Sequence, residues 1–150
     1  MASREKTIAA MWTIYASFVS TFFLFILMIE IAKPAEKPIS PMIIGAFAFA
    51  AISYVPIGAI LRRKFLNGAE ESLRKEPHDA KGLQLWRTGN IFSFAVAESV
   101  MLLGVAQKFL GARWTISGIF FALGLLLLIV WMPRLEMYSS TNASAPPPAG

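Results

Sequence analysis

The segment 91–110 constrains the fold more than any other part of the sequence. It is an apolar run of twenty residues with a single carboxylate, Glu98, about a third of the way along it. A helix of roughly 20 residues spans the roughly 30 Å hydrocarbon core of a bilayer. Further apolar runs lie at about 8–32, 41–61 and 114–132. Because backbone groups in lipid must bond within their own segment, the sequence predicts an all-α, up-down bundle of four transmembrane helices.

The composition supports a single polytopic membrane domain at 1–138. Hydrophobic residues make up 56% of the chain and charged residues 15%, which is unusual for a soluble domain. The first apolar run is longer than the apolar core of a signal peptide, so we expect it to be retained as a helix. Residues 139–150 are rich in Pro, Ser and Ala and are predicted to form a flexible tail.

Several classes of function lack the residues they need. There is no cysteine, and the only histidine, His78, lies in a polar segment. Thiol chemistry is therefore excluded, and no span offers the imidazole that usually ligates haem. No metal-ligand cluster, glycine-rich phosphate loop or activated nucleophile can be assembled from the other side chains. The sequence therefore predicts that the protein is not an enzyme and has no cofactor. Any bound lipid or pigment would be held through apolar contacts.

The net charge of +5 indicates membrane orientation rather than nucleic-acid binding, because Lys and Arg cluster at the ends of the apolar runs. Of the 14 basic residues, ten lie before the first run, in the segment 62–87 or after the fourth run. The two opposite connections carry the other four, Lys33, Lys37, Lys108 and Arg113. By the positive-inside rule, both termini are predicted to be cytoplasmic in a bacterial plasma (inner) membrane.

The segment 62–87 is predicted to be the only sizeable extramembrane part, an amphipathic stretch at the cytoplasmic surface. Three basic residues at its start stop the second span, namely Arg62, Arg63 and Lys64. We expect Pro77 to interrupt one short helix and Asp79 to cap another. Trp86 and Arg87 have the character of interfacial anchors. A solvated interfacial loop is favoured here over a docking site for lipid head groups or a partner.

Small residues predict where helices meet, since small side chains let two helices approach closely in lipid. They recur on one side of the second span and at four-residue spacing in the fourth: Ala46, Ala50, Ser53, Gly118 and Ala122. In the first span the hydroxyl residues share one helix face: Thr13, Ser17, Ser20 and Thr21. We expect this hydroxyl face to contact other helices and the phenylalanines of the span to face lipid or a partner.

Glu98 is the candidate functional residue. A carboxylate within a span costs about 2.5 to 3.5 kcal/mol on insertion scales, so it needs a compensating interaction. With a rise of about 1.5 Å per residue, Glu98 lies about 10 Å from the cytoplasmic end of its span. Tyr54 and Ser17 fall at a similar depth in the second and first spans, and their hydroxyls are the predicted partners of the acid.

Three roles for Glu98 stay open: a protonated acid bonded between helices, a contact with another subunit, or proton or cation passage. The segment 95–99, Ala-Val-Ala-Glu-Ser, followed by Gly104, resembles the carboxylate-bearing helix of the rotary ATPase proteolipid subunits. That resemblance covers one helix and implies that Glu98 binds a proton, although no span has the repeated glycines of the proteolipid partner helix. The whole arrangement is also similar to small four-helix membrane proteins of bacteria, which implies the fold and no activity.

The sequence thus favours a non-catalytic integral membrane protein. We expect an accessory or assembly subunit of a larger energy-converting complex, respiratory or photosynthetic. Its expected partners are membrane lipids and larger membrane-protein subunits, and not nucleic acid. The alternative function is proton or cation translocation through Glu98.

Overall fold

The structure, a computed structural model, describes residues 4–76 and 78–134. All regular structure in this part of the chain is helical, with four helices: α1 Arg4–Ala32, α2 Pro41–Lys75, α3 Ala80–Phe109 and α4 Trp114–Val130. The first three are long and apolar enough to cross a membrane, whereas α4 is a shorter apolar helix of 17 residues. The tail predicted at 139–150 lies outside the described residues.

Helix α3 is the centre of the bundle. It packs against each of the other three helices, while α1 has its main contact with α3. Glycines set the closest approaches: a Cβ on Gly104 would lie 3.0 Å from the Ser117 carbonyl oxygen of α4. A Cβ on Gly58 of α2 would lie 2.9 Å from Cγ1 of Val96 in α3. The four-helix bundle is therefore arranged around one helix rather than as a ring of equal partners.

The predicted helices on either side of Pro77 are present in the segment 62–87, but they are the ends of α2 and α3 and not separate short helices in an interfacial loop. α2 continues to Lys75 and α3 begins at Ala80, and Pro77, which was predicted to interrupt the helix, lies outside the described residues. Ion pairs one helical turn apart support the end of α2: Arg74–Glu70 at 2.7 Å and Lys75–Glu71 at 3.1 Å. We refer to the paired helix ends, 62–75 and 80–90, as the helical extension.

The predicted cap at Asp79 is confirmed at the start of α3. Its carboxylate accepts hydrogen bonds from the backbone N–H of Lys81, at 3.3 Å, and of Gly82, at 2.8 Å. The hydroxyl of Ser72, on α2, donates to the same carboxylate. The Ser72 hydrogen bond, followed by that of Gly82, lowers the pKa of Asp79 below its ordinary value of 3.8. One acid thus fixes the turn and joins the two helices.

Trp86 belongs to the core of the helical extension and is not the interfacial anchor that the sequence predicts. Its side chain is 2% exposed, and Ala69, Leu73 and Leu83 are buried in the same extension. Among the other predicted surface residues, Arg63, Lys64 and Arg87 are exposed and Arg62 is partly buried. The prediction was wrong for Trp86 because the continuous helices supply a buried seam beyond the apolar runs.

Helix α1 docks through its aromatic residues, which reverses the predicted orientation. The rings of Tyr15 and Phe18 lie 5.4 and 5.6 Å from the ring of Phe94 in α3, and Phe22 lies 6.1 Å from Phe121 in α4. The hydroxyl residues of α1 instead donate to carbonyls four residues earlier in the same helix. Because these hydroxyls are satisfied within the helix, they need no neighbouring helix, whereas aromatic rings gain contact area by burial.

The small residues singled out in the sequence do not form the close helix contacts of this chain. A Cβ on Gly118 would meet nothing within 4 Å, and Ala46 and Ala122 are exposed. Ala50 and Ser53 are partly buried, and the Ser53 hydroxyl donates to the carbonyl of Phe49. The close contacts occur at other glycines, because residue spacing does not tell which face of a helix meets a neighbour.

Candidate functional site

Glu98 lies where a buried face of α3 meets an exposed one. Phe94 and Met101, about one turn before and after it, are fully buried, whereas Ala95 and Leu102 are exposed. The Glu98 side chain is partly buried and has no hydrogen bond or ion pair with any described residue. A carboxyl group placed in this way is accessible from outside the chain, across an apolar surface.

The structure does not bring the predicted partners to Glu98. The Ser17 hydroxyl is exposed and donates to the Thr13 carbonyl at 3.0 Å. Tyr54 is 46% exposed and lines a groove between α2 and α3 that Glu98 does not line. The predicted hydrogen bonds of Glu98 with Ser17 and Tyr54 are therefore not formed. Equal depth in the bundle was a necessary condition for contact, but the three side chains lie on different faces.

The groove beside Tyr54 has a volume of about 420 Å³. Ile57 of α2 and Leu102 and Leu103 of α3 supply much of its wall, and Ser99 is its other hydroxyl residue. The Ser99 hydroxyl already donates to the Ala95 carbonyl at 2.8 Å. The groove can hold an alkyl chain by dispersion contacts, since it offers few polar groups to orient a polar cofactor.

At the end of the bundle opposite the helical extension, a buried lysine ties two connections together. Lys108 is 4% exposed, and its ammonium donates to Glu36 Oε1 at 2.9 Å and to the Ala112 carbonyl at 3.1 Å. The same ammonium lies 5.3 Å from the ring centroid of Trp114. We refer to Glu36, Lys108, Ala112 and Trp114 as the loop clamp. The hydrogen bond and charge of Lys108 lower the pKa of Glu36 below its ordinary value of 4.5.

Gly111 completes the loop clamp through its backbone. It ends α3 with a φ of +108°, a conformation that side chains other than glycine rarely adopt. Its carbonyl accepts a hydrogen bond from the Lys37 backbone N–H at 3.0 Å, and a Cβ at this position would lie 3.0 Å from that nitrogen. The connection between α1 and α2 thus rests directly on the turn between α3 and α4.

Sequence reasoning missed the polar residues inside the bundle. Asn90, Gln107 and Ser117 are each at most 1% exposed, and each has side-chain atoms without a hydrogen-bond partner among the described residues. A detectable pattern existed: residues at alternating spacings of three and four follow one face of α3, namely Asn90, Ser93, Ala97, Val100, Gly104 and Gln107. Small and polar residues on one helix face are typical of an interhelical contact.

No activity can be assigned to the described side chains from a metal site or from similarity to known proteins. Within residues 4–76 and 78–134, no three His, Cys, Asp or Glu side chains come close enough together to hold a metal ion. Comparisons of the chain with models of known protein families, with curated proteins and with solved structures found no match. The structure shows a helical bundle with three helices that are long and apolar enough to cross a membrane. The features that bear on function are Glu98, the groove beside Tyr54, the loop clamp and the face of α3 that carries Asn90 and Gln107.

Proposed function

We propose that the chain is a non-catalytic integral membrane protein that serves as an accessory or assembly subunit of a larger membrane complex. The observation that supports this role is Glu98, which is partly buried and has no partner among the described residues. An acid in a span needs a compensating group. Because Ala95 and Leu102 leave one side of it open, that group can come from a neighbouring subunit.

The partner that fits this surface is an apolar helix with one hydrogen-bond donor at the depth of Glu98. α1 also exposes large apolar residues in its second half, among them Phe23, Leu24, Leu27 and Ile31. Lipid can cover such residues, but lipid chains cannot bond the carboxyl group of Glu98. The kind of complex, respiratory or photosynthetic, stays a prediction of the sequence.

Two variants of Glu98 test the docking role. Glu98→Gln keeps hydrogen-bonding atoms at the same place, whereas Glu98→Leu removes them at a similar volume. We expect the tagged wild-type chain and Glu98→Gln to co-purify with the same larger subunits from native membranes in mild detergent, and Glu98→Leu to lose them. A matched control is Glu30→Leu, an exposed acid near the end of α1. Retention of the subunits by Glu98→Leu would contradict the docking role.

Ion translocation through Glu98 is the second candidate function. The observation in its favour is the same unpartnered acid, together with the resemblance of segment 95–99 to the proteolipid helix. The nearest hydroxyl in sequence, Ser99, donates to its own helix and offers no relay. If Glu98 carries protons, a hydrophobic carbodiimide should label it, and both Glu98→Gln and Glu98→Leu should abolish proton flux in proteoliposomes. Unchanged flux in Glu98→Gln would remove this candidate.

We further propose that the chain is inserted in a bacterial membrane with the helical extension in the cytoplasm. The distribution of basic residues supports this orientation. Since the chain has no cysteine, single cysteines can be introduced at Lys37, in the connection between α1 and α2, and at Lys75, in the helical extension. We expect a membrane-impermeant maleimide to label Lys37→Cys in intact cells and Lys75→Cys only after lysis. The opposite pattern would invert the proposed topology.

A further inference from the structure

A polar cavity lies where the helical extension meets the apolar part of the bundle. Its volume is about 210 Å³, and its walls include Arg62, Trp86, Asn90 and Arg134. Its other lining residues are Leu66, Val130 and Met132. One water needs only about 10–15 Å³ of such space, so a polar group of several atoms fits. Its wall has more polar than apolar surface, whereas the wall of the groove beside Tyr54 is mainly apolar.

The position of the cavity along the helices matches a membrane surface. Arg62 directly follows the apolar run 41–61, and Asn90 directly precedes the apolar run 91–110. Arg134 follows the end of α4 by a few residues. In a chain inserted as proposed, these three side chains lie at the level of the lipid head groups on the cytoplasmic side.

The chemistry of the cavity favours a phosphate ester that also carries a hydrogen-bond donor. A guanidinium group such as that of Arg134, which is exposed, matches phosphate oxygens in geometry and charge. Asn90 is 1% exposed; its Nδ2 donates to the Trp86 carbonyl at 2.8 Å, and its Oδ1 has no partner among the described residues. A buried amide oxygen needs an N–H or O–H group. A ligand with a phosphate and an ammonium or hydroxyl group meets both requirements.

An apolar exit distinguishes a lipid from a free phosphate as the source of that ester. Val130 lines the cavity and is 60% exposed, and Leu126, one turn earlier in α4, is 55% exposed. Acyl chains attached to a bound head group can therefore continue along α4 in the bilayer. We infer that this cavity binds a phospholipid head group, with the phosphate at Arg134 and its ammonium or hydroxyl donor at Asn90 Oδ1. This inference rests on the membrane insertion proposed above.

The phosphate contact and the contact with Asn90 can be tested separately with three lipids that have identical acyl chains. Their binding to the full chain is measured by native mass spectrometry in mild detergent. Diacylglycerol lacks the phosphate, phosphatidylcholine has the phosphate without an N–H donor, and phosphatidylethanolamine has both. We expect apparent affinity to rise in that order. Arg134→Gln should weaken both phospholipids by about tenfold, the effect of losing a hydrogen bond to a charged group. Asn90→Leu should remove the preference for phosphatidylethanolamine over phosphatidylcholine and keep the preference of both over diacylglycerol.

Arg63→Gln is the matched control, because Arg63 is exposed, adjoins Arg62 and does not line the cavity. It should change phospholipid affinity by no more than about twofold, as expected for an exposed charge. Equal losses in Arg134→Gln and Arg63→Gln would overturn the site. Displacement of lipid by an equal concentration of inorganic phosphate would overturn the lipid assignment in favour of free phosphate.

Failure of the lipid site and failure of the proposed function give different results. Extraction of the wild-type chain from native membranes by alkaline carbonate would contradict membrane insertion and, with it, the proposed function. A chain that resists extraction but shows no difference between Arg134→Gln and Arg63→Gln would contradict only the lipid site. Since Arg134 is exposed and lies beyond α4, its substitution leaves the buried packing of the helices unchanged.

Discussion

Helices α1 and α3 are nearly equal in length, with 29 and 30 residues, yet their surroundings are opposite. In the most apolar stretch of α3, 50% of the residues are buried, against 11% in α1, although α1 is the more apolar helix. In a bilayer, an apolar side chain gains little by leaving lipid for the protein interior, so small and polar residues occupy the interior. Between α1 and α3, burial follows small and polar content rather than hydropathy, which is the pattern expected of helices that pack in a bilayer.

The two helices also meet their neighbours in different ways. Backbones approach α3 closely at glycines, as at Gly104, where a Cβ would lie 3.0 Å from a carbonyl oxygen of α4. α1 stays at the distance set by aromatic rings, with Tyr15 and Phe18 against Phe94. A close backbone contact tolerates no added atoms, whereas a ring contact depends on a few large side chains. Substitutions of each kind test this distinction.

The largest loss of stability is expected from substitution of Phe94, where α1 meets α3. Phe94→Ala removes the ring that contacts Tyr15 and Phe18 and leaves a cavity, a change that costs about 3–5 kcal/mol in a packed interior. We expect the free energy of unfolding, measured by SDS titration in mixed micelles, to fall by about this amount. Phe23→Ala, at a side chain of α1 that is 63% exposed, is the control and should change it by less than about 0.5 kcal/mol. Equal losses would mean that Phe94 does not hold α1.

A smaller difference in stability is expected between substitutions of two glycines in the same helix, α4. A Cβ on Gly124 would meet the Met101 side chain and lie 2.9 Å from the Ala97 carbonyl oxygen, whereas one on Gly118 would meet nothing within 4 Å. Gly124→Ala should therefore destabilise by about 1–3 kcal/mol through overpacking. Gly118→Ala should be neutral or should stabilise by up to about 1 kcal/mol, because alanine favours helix. The same SDS titration would contradict the α3–α4 packing if both variants behaved alike.

The positions of the helices could be predicted from the sequence more fully than their contacts. Apolar runs of about 20 residues leave the backbone no alternative to helix in lipid, so the end of α1 at Ala32 and the start of α2 at Pro41 agree with prediction. The helical extension was missed because the polar stretch after Leu61 resembles a loop in composition. Its apolar residues at helical spacing, Leu66, Ala69 and Leu73, were nevertheless visible in the sequence.

The candidate site was less predictable than the fold. Depth along a helix follows from residue number, but the direction of a side chain depends on which faces pack, and that is decided by neighbouring helices. Ser17 illustrates the difficulty, because a serine in a helix can satisfy its hydroxyl at the carbonyl four residues earlier. Lys108 illustrates the converse, since a lysine counted as an orientation marker is buried and paired with an acid 72 residues away in sequence.

The smallest change in stability is expected from acidification. Lowering the pH protonates carboxylates at the two ends of α3 and leaves its contact with α1 unchanged. Asp79 at the start of α3 and Glu36, paired with Lys108 at its end, both have pKa values below their ordinary values of 3.8 and 4.5. A carboxylate whose folded pKa is lowered contributes stability that is present above the unfolded pKa and lost as pH falls through the folded pKa. We therefore expect the melting temperature in detergent to fall as pH decreases below about 4.5.

A double variant, Asp79→Asn with Glu36→Gln, isolates this titration. Asparagine still caps a helix, and the glutamine oxygen can still accept from the Lys108 ammonium, so both contacts persist without a titrating group. Between pH 6 and pH 3 the wild-type melting temperature should fall more steeply than that of the double variant, and the two should respond to pH alike above pH 6. If the melting temperatures of the two proteins fell in parallel down to pH 3, the ionised forms of Asp79 and Glu36 would not stabilise the ends of α3. The difference between α3 and α1 would then rest on the interior contacts alone, which the Phe94 and Gly124 substitutions measure separately.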